Sequence, residues 1–150
     1  MKAQIGVRLT PLNGFINLDL ADQSRPVDPY KLDEYFDNNE IDEVFIVNDT
    51  LDYLPLQGRG QALSHWLTKL AHGAKITLIG NDLFEVARVI DNGQLDLPQA
   101  NAIVYGVGRK SFVRPADNIA IVMNTGQFEL YEFKYNAVKP FEYVVTLRRK

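Results

Sequence analysis

The chain has 150 residues and no cysteine, with 46% hydrophobic and 23% charged residues. This composition is that of one ordinary globular domain, and it excludes disulfides, thiolate zinc sites and a cysteine nucleophile. The net charge of −3, with nine acidic residues against one base between Asp28 and Asp52, argues against a nucleic acid partner. No apolar run approaches the roughly 20 residues of a membrane span, and the N-terminus lacks the apolar core of a signal peptide. We therefore expect a cytoplasmic protein with no membrane contact.

Two strands and a short helix are predicted in the N-terminal part. Ala3–Leu9 and Phe15–Leu20 are the strands, and the TPLNG segment between them is a loop, because proline, asparagine and glycine favour turns. Asp28 suits a helix N-cap and Pro29 the first helical position, so a short helix is expected through about Phe36.

The central segment predicts a strand, a helix and a second strand. Glu43–Val47 and Ala74–Ile79 are apolar runs typical of buried strands. Between them, apolar residues at i, i+3, i+4 and i+7 form one stripe of an amphipathic helix: Leu63, Trp66, Leu67 and Leu70. Gly73 would end this helix, with Lys69 and His72 in its last turn. Such a unit is a right-handed crossover between parallel strands, which indicates an α/β sheet.

The C-terminal part predicts three helices and a hairpin. Asp82 and Glu85 form a candidate capping box for a helix that Asn92-Gly93 would stop. Further helices are expected at Pro98–Tyr105 and from Pro115 to about Asn124, separated by the loop GVGRKSFVRP. The aromatic segments Gln127–Tyr135 and Phe141–Arg148 then predict an antiparallel hairpin.

Several residues that suggest chemistry fit structural roles better. His65 and His72 are not spaced as a pair of metal ligands and no HEXXH motif is present, so we expect surface or capping histidines and no metal site. The glycines of GRG (Gly58–Gly60) and GVG (Gly106–Gly108) fit neither a Walker nor a dinucleotide motif and are expected in flexible loops. Trp66, within the leucine stripe, is expected in the core.

Several blocks, in order along the chain, resemble the class I S-adenosylmethionine-dependent methyltransferases, especially a small variant with a loop in place of the first crossover helix. GFINLDL (Gly14–Leu20) is similar to the variant's GWINVDL, and DNNEIDEVFIVNDTLDYL (Asp37–Leu54) to its DNSVDEIYASHVLEHL. ALSHWLTKLAHGAKITLIGND (Ala62–Asp82) resembles its helix ending LKPGG and the strand that follows, and the GQF turn (Gly126–Phe128) resembles its C-terminal part. The resemblance implies a single Rossmann-like methyltransferase domain over residues 1–150, with a mostly parallel sheet and a C-terminal antiparallel hairpin.

The resemblance also implies a site at the carboxyl ends of the strands, where open α/β sheets bind ligands. Asp19 would bind the ribose of S-adenosylmethionine, Asp28 would lie beside its adenine, and Gly6 would let the backbone approach its methionine portion. Asn48 would contact the cofactor and, with Asp49, would face the transferred methyl group as a catalytic residue. Each also has a structural alternative: a loop acid at Asp19, an N-cap at Asp28, and turn chemistry at Asn48–Asp49.

The expected function is methyl transfer to a small or surface-presented acceptor, and the family variant suggests a saccharide. A general base, Asp49 or Asp52, is one option, although alignment of nucleophile and methyl group can suffice.

One departure from the family leaves a competing function open. The family's glycine-rich LGCG is replaced by IGVRL (Ile5–Leu9), with Val7 and Arg8 after the retained Gly6. A side chain there could fill the cofactor pocket, or Arg8 could reach the cofactor carboxylate. The alternative is a non-catalytic module of this fold that binds a protein partner or a second copy through the aromatic residues of the hairpin: Phe128, Tyr131, Phe133, Tyr135, Phe141 and Tyr143. A third option is other chemistry on the cofactor, such as its cleavage.

Overall fold

Six strands form a single sheet: β1 (Lys2–Gly6), β2 (Ile16–Asp19), β3 (Ile41–Ile46), β4 (Leu70–Asn81), β5 (Phe128–Tyr135) and β6 (Glu142–Arg149). They are seen in a computed structural model that describes residues 1–150. The strand order is β2-β1-β3-β4-β6-β5, with β1 to β4 parallel and β6 antiparallel to both of its neighbours. The predicted α/β sheet with a C-terminal antiparallel hairpin is confirmed.

The connections between these strands contain helices except for the first, which is a loop, as the resemblance implied, and the last, which is the hairpin turn between β5 and β6. The helices are α1 (Leu56–Leu67), α2 (Leu83–Asp91), α3 (Leu97–Tyr105) and α4 (Pro115–Met123), with single-turn 3-10 helices at Leu32–Glu34 and Thr50–Tyr53. α1 joins β3 to β4, which confirms the predicted parallel crossover. None of these helices is both long and apolar enough to cross a membrane.

The main core lies on one face of the sheet. Alternate strand residues point to this face, where α1 and α4 cover them: Ile5, Ile46, Ile76 and Val145 are each at most 2% exposed. Burying one such side chain stabilises the fold by about 1.5–3 kcal/mol. Trp66 is 3% exposed, and its indole N–H donates to the carbonyl of Pro29 at 2.7 Å. The predicted core position of Trp66 is confirmed.

The helix predicted from Asp28 to Phe36 is wrong, because only a 3-10 turn forms there. Lys31 has φ −138° and ψ 61°, outside the helical region. A segment this short does not offset the cost of helix nucleation by itself. The Asp28 carboxylate instead accepts the N–H of Tyr30 at 2.9 Å and closes a turn around Pro29.

The predicted end of the central helix is also wrong. α1 ends at Leu67, and Leu70 already belongs to β4, where it pairs with Ile41. Lys69 and His72 therefore lie outside the helix. Gly73, predicted to end the helix, has φ 77° inside β4, where the register with β3 shifts. A glycine tolerates this backbone conformation, which lets the strand bulge.

Two features of α1 differ from the prediction. Gly58 and Gly60 lie inside the helix and not in a loop, and a Cβ at Gly58 would collide with the Tyr30 hydroxyl. His65 is neither a free surface residue nor a helix cap, since its Nε2 accepts the N–H of Leu32 at 2.9 Å. This histidine holds the 3-10 turn at Leu32–Glu34 against α1.

The later elements agree closely with the prediction. Asp82 caps α2 by accepting the N–H of Phe84 at 3.1 Å. The capping box itself is not formed, because the Glu85 carboxylate accepts a bond from Arg88 at 2.7 Å. α3, α4 and the hairpin start and end within one or two residues of the predicted positions.

Candidate functional site

The carboxyl ends of β1, β2, β3 and β4 meet at one edge of the sheet, where ligands bind in open α/β folds. Four of the five predicted site residues lie at this edge: Gly6 and Asp19 are the last residues of β1 and β2, and Asn48 and Asp49 follow β3. Asp28 lies further along the chain in its own turn.

Asp19 clamps the loop that follows β1. Its half-buried carboxylate accepts the backbone N–H groups of Arg8 at 3.0 Å, Leu9 at 3.1 Å and Ala21 at 2.9 Å. Arg8 has φ 51°, in the left-handed region that favours glycine, and it occupies the place of the second glycine of the family's LGCG. The loop therefore keeps a glycine-like backbone without the glycine.

A cleft of about 700 Å³ lies beside this clamp, and we call it the Asp19 cleft. Its lining combines apolar and charged side chains, including Ile16, Val27, Tyr35, Asp22 and Arg25 together with Asp19 itself. Asp28, predicted beside an adenine, is not part of this lining.

The space next to Gly6 is already filled by protein atoms. A Cβ at Gly6 would lie 3.0 Å from a methyl carbon of Val47 and 3.1 Å from the Leu9 side chain. The neighbouring Val7 is fully buried. The guanidinium of Arg8 donates to the carbonyl of Gly106. The loop after β1 is thus packed against its surroundings and leaves no open space beside Gly6.

Asn48 and Asp49 follow β3 in a strained conformation. Their φ angles are 57° and 56°, and the left-handed region costs a residue other than glycine about 1–2 kcal/mol. Asn48 is exposed and donates its side-chain amide to the carbonyl of Val7 at 3.2 Å. The buried Asp49 carboxylate accepts the backbone N–H of Asn81 at 2.5 Å and its side-chain amide at 2.8 Å. Only Asn48 of this pair faces solvent.

Asp49 also belongs to a buried ionic cluster, which we define as Asp49, Asp52, Arg59 and Arg109. Arg109 bridges the two carboxylates, with 3.1 Å to Asp49 and a second bond to Asp52. Arg59 binds the other oxygen of Asp52 at 2.5 Å. Every side chain of this cluster is at most 10% exposed.

Burial raises the pKa of Asp52 from its ordinary value of 3.8 to about 6. Loss of solvation is the largest effect on this pKa, and the two arginines offset it only in part. The Asp49 charge adds to the increase. The cluster thus holds a carboxyl that titrates within the range of ordinary buffers.

The ionic cluster fixes a loop over the carboxyl edge, residues 106–114, which we call the roof loop. The carbonyl of Asp52 accepts the N–H groups of Lys110 at 2.8 Å and Ser111 at 3.2 Å. Arg109 also donates to the carbonyl of Val104 at 2.9 Å, at the end of α3. The roof loop therefore closes the centre of the edge, between β3 and β4.

Sequence reasoning missed Arg59 and Arg109. The signal that could have found them is Asp52, which lies between Leu51 and Leu54 in an apolar segment. An acid buried among leucines needs a cation or several donors. The two arginines stand in the glycine-flanked GRG and GVGR segments, whose glycines indicate flexible loops and not buried cations.

A second cleft of about 600 Å³ lies beside the roof loop, and we call it the Tyr105 cleft. Its apolar lining is unusually exposed, with Leu56 at 59%, Tyr105 at 70% and Phe112 at 52%. Arg109, Lys110 and Ser111 supply its polar groups. Arg109 is neutralised by the ionic cluster, whereas the Lys110 ammonium has no acidic partner and lies 5.2 Å from the Tyr53 ring centre.

No protein-family model and no curated protein matches the sequence. Among solved structures, a SAM-dependent methyltransferase from Archaeoglobus fulgidus has a TM-score of 0.62 at 11% identity, over 99% of this chain and 86% of that chain. A SAM-dependent methyltransferase from Thermotoga maritima, a possible histamine N-methyltransferase, has a TM-score of 0.64 at 11% identity, over 99% and 82%. Magnesium protoporphyrin IX methyltransferase from Synechocystis PCC 6803, with bound SAH, has a TM-score of 0.53 at 15% identity, over 91% of this chain and 51% of its own length. At these identities the likeness shows a common fold.

Proposed function

We propose that this chain, which has the fold of the class I S-adenosylmethionine-dependent methyltransferases, binds S-adenosylmethionine at the carboxyl edge of its sheet and transfers the methyl group to a small or surface-presented acceptor. The observation that carries the proposal is the Asp19 clamp. An acid at the end of β2 holds a glycine-like loop after β1 and lines a cleft large enough for a nucleoside.

The Asp19 cleft fits the adenosine half of the cofactor. One Asp19 oxygen accepts only the Leu9 N–H and keeps a free lone pair, which suits a ribose hydroxyl. The apolar side chains of Ile16, Val27 and Tyr35 offer a surface for the adenine ring. Arg25, at the same cleft, adds a donor.

The methionine half does not fit the loop in this arrangement. Val47 and Leu9 occupy the space next to Gly6, where the family's glycines let a ligand approach the backbone. Binding of the whole cofactor therefore requires the loop to shift at Arg8 and Leu9. The Arg8 guanidinium, which bonds to the carbonyl of Gly106, would have to release this bond for the loop to move.

The roles that we propose for Asn48 and Asp49, after β3, follow from the solvent exposure of their side chains. Asn48 is the residue of the pair that can reach a cofactor and an acceptor, while Asp49 positions the loop through Asn81 and Arg109. Both arginines of the ionic cluster hold Asp52, so neither carboxylate is a free base. When bound, the cofactor supplies an electrophilic methyl group, and the protein's part is to align the acceptor with it.

The Tyr105 cleft is the proposed acceptor site. Tyr105 and Phe112 present flat apolar rings, and Lys110 supplies a positive charge beside them. These groups suit a small ring compound that carries an anionic group. The resemblance suggests a saccharide, and the Lys110 charge would favour one that carries an acidic group.

The test is calorimetric titration with S-adenosylmethionine and S-adenosylhomocysteine. We expect micromolar binding that Asp19→Asn weakens at least tenfold, which corresponds to about 1.4 kcal/mol. Asp22→Asn is the matched control, because Asp22 lines the same cleft and its carboxylate accepts hydrogen bonds only from the residues just after it, chiefly Ser24; this variant should stay within about twofold. Arg8→Gly should bind more tightly than the wild type, because glycine adopts the same backbone without a side chain.

A second candidate function, a non-catalytic binding module of this fold, is favoured by the filled space next to Gly6 and by the ionic cluster beneath the roof loop. It predicts no heat with either ligand up to millimolar concentration, for the wild type and for Arg8→Gly alike. That result would remove the cofactor and the methyl transfer together.

A further inference from the structure

We propose that β5 pairs with β5 of a second copy of this chain, antiparallel and about a two-fold axis, so that the two sheets become one. The inference does not depend on the proposed function, because β5 lies at the far edge of the sheet from the Asp19 cleft.

The first observation is an exposed apolar edge. β5 is the last strand of the sheet, and every residue of it after Phe128 is exposed. The exposed fractions are 49% for Leu130, 61% for Tyr131, 38% for Phe133 and 40% for Tyr135. A long edge strand with this composition is a template for another strand, which soluble proteins normally avoid or use.

The second observation is the direction of the backbone groups of β5. The N–H of Lys150 bonds to the carbonyl of Gln127 and the N–H of Asn136 to that of Glu142, both at 2.8 Å. In an antiparallel ladder, alternate residues turn towards the neighbouring strand. Gln127 and Asn136 therefore turn their backbone groups towards β6. Taking alternate residues from each of these two into the strand, the residues whose N–H and C=O groups turn outward, away from β6, are Phe128, Leu130, Phe133 and Tyr135. The irregularity between Leu130 and Glu132 separates the two halves of this set.

The third observation is that one register satisfies these outward groups and the charges together. When Leu130 faces Phe133 of the second copy, Phe128 faces Tyr135, and all four are outward residues. The same register places Glu129 opposite Lys134, twice by symmetry. The two Glu129–Lys134 pairs lie at positions whose backbones do not hydrogen-bond to each other, where opposite side chains come closest.

The pattern selects a second copy over other partners because it is self-complementary. Glu129 and Lys134 lie at equal distances from the strand centre, and three of the four residues between them are apolar or aromatic, the exception being Glu132. A shift by one residue would bring outward groups against inward ones and would separate the charges. Within one chain, Lys134 makes only an exposed contact with Glu132 at 3.4 Å, so it is free to bind elsewhere.

Sedimentation velocity and light scattering over micromolar to millimolar protein test this interface. We expect a dimer whose dissociation constant rises about tenfold or more in Glu129→Lys and in Lys134→Glu, since each places like charges opposite one another twice. The double variant, with both charges exchanged, should return to near wild-type affinity. Lys139→Glu makes the same charge change in the exposed hairpin turn and should leave the dimer unchanged.

Hydrogen exchange supplies an independent check on the same strand. In the dimer, the outward amides of Leu130 and Phe133 should exchange slowly at high protein concentration and rapidly on dilution. A wild type that stays monomeric at millimolar concentration would overturn the proposal. A dimer whose dissociation constant is unchanged in both single variants would also overturn it, since the second copy would then bind elsewhere. The same holds if β5 binds a different protein and no second copy.

Discussion

Replacing Asp52 by asparagine is expected to remove an unusual pH dependence of stability. The Asp52 pKa is about 6 in the folded protein, against 3.8 for an ordinary aspartate. A carboxyl whose pKa is raised by folding binds its proton more tightly in the folded state. Its contribution therefore stabilises the fold as the pH falls from about 6 towards 3.8, and this gain is absent above the folded pKa.

The magnitude follows from the two pKa values. Between pH 7.5 and pH 5.0, protonation of Asp52 should stabilise the wild type by about 1.4 kcal/mol. Asp52→Asn has no proton to gain and should lack this increment. With a urea m-value of roughly 2 kcal/mol per molar, the difference corresponds to a midpoint shift of about 0.7 M.

Urea unfolding at the two pH values measures the effect, with the fluorescence of the single, buried Trp66 as the signal. Asp33→Asn is the control, because its hydrogen bond to Lys69 lowers the pKa of the Asp33 carboxyl. The stability that Asp33 contributes is lost only as the pH falls below about 3.8, so Asp33→Asn should keep the wild-type increment between pH 7.5 and pH 5.0. If the wild type and Asp52→Asn lose or gain stability equally between pH 7.5 and 5.0, the reasoning about a desolvated Asp52 is refuted.

The remaining predictions concern packing and buried charge. Gly80→Ala would place a Cβ 2.5 Å from the fixed Asp49 carboxylate and should destabilise the fold by about 2 kcal/mol, whereas Gly60→Ala, in open space on α1, should stabilise it by about 0.5–1 kcal/mol. Lys69→Met should change the unfolding free energy by no more than about 1 kcal/mol, because its partner Asp33 is exposed and regains water. Arg59→Met leaves the buried Asp52 with one cation fewer and should lower the unfolding free energy by about 3–5 kcal/mol. Thermal or urea unfolding measures all four variants, and equal effects within either pair would contradict the respective argument.

The sheet could be predicted because its signals are local. β3 and the central part of β4 are apolar runs, and the hairpin strands are aromatic segments on either side of a short turn, so each strand is encoded in neighbouring residues. The boundary at Leu70 could not be predicted in the same way. Its spacing continues the helical stripe of α1, but pairing with Ile41 across the sheet places it in β4.

The site could be predicted only where the chain leaves a strand. Asp19 was found because an acid at the end of a strand must lie at the carboxyl edge. Arg109 was not found because it lies 57 residues from Asp52, and no pattern in either segment indicates their contact. The helix expected after Asp28 does not form although its capping residues are favourable, because the segment is too short to offset the cost of helix nucleation and packs against α1 as a 3-10 turn instead.

The most direct test of the central claim is a nuclear magnetic resonance titration of ¹⁵N-labelled protein with S-adenosylhomocysteine. The account predicts that the backbone amide signals of Arg8, Leu9 and Ala21, which donate to Asp19, shift and saturate, while those of the exposed strand β5 stay in place. Unchanged signals at these three amides up to millimolar ligand, or changes confined to other parts of the chain, would contradict it.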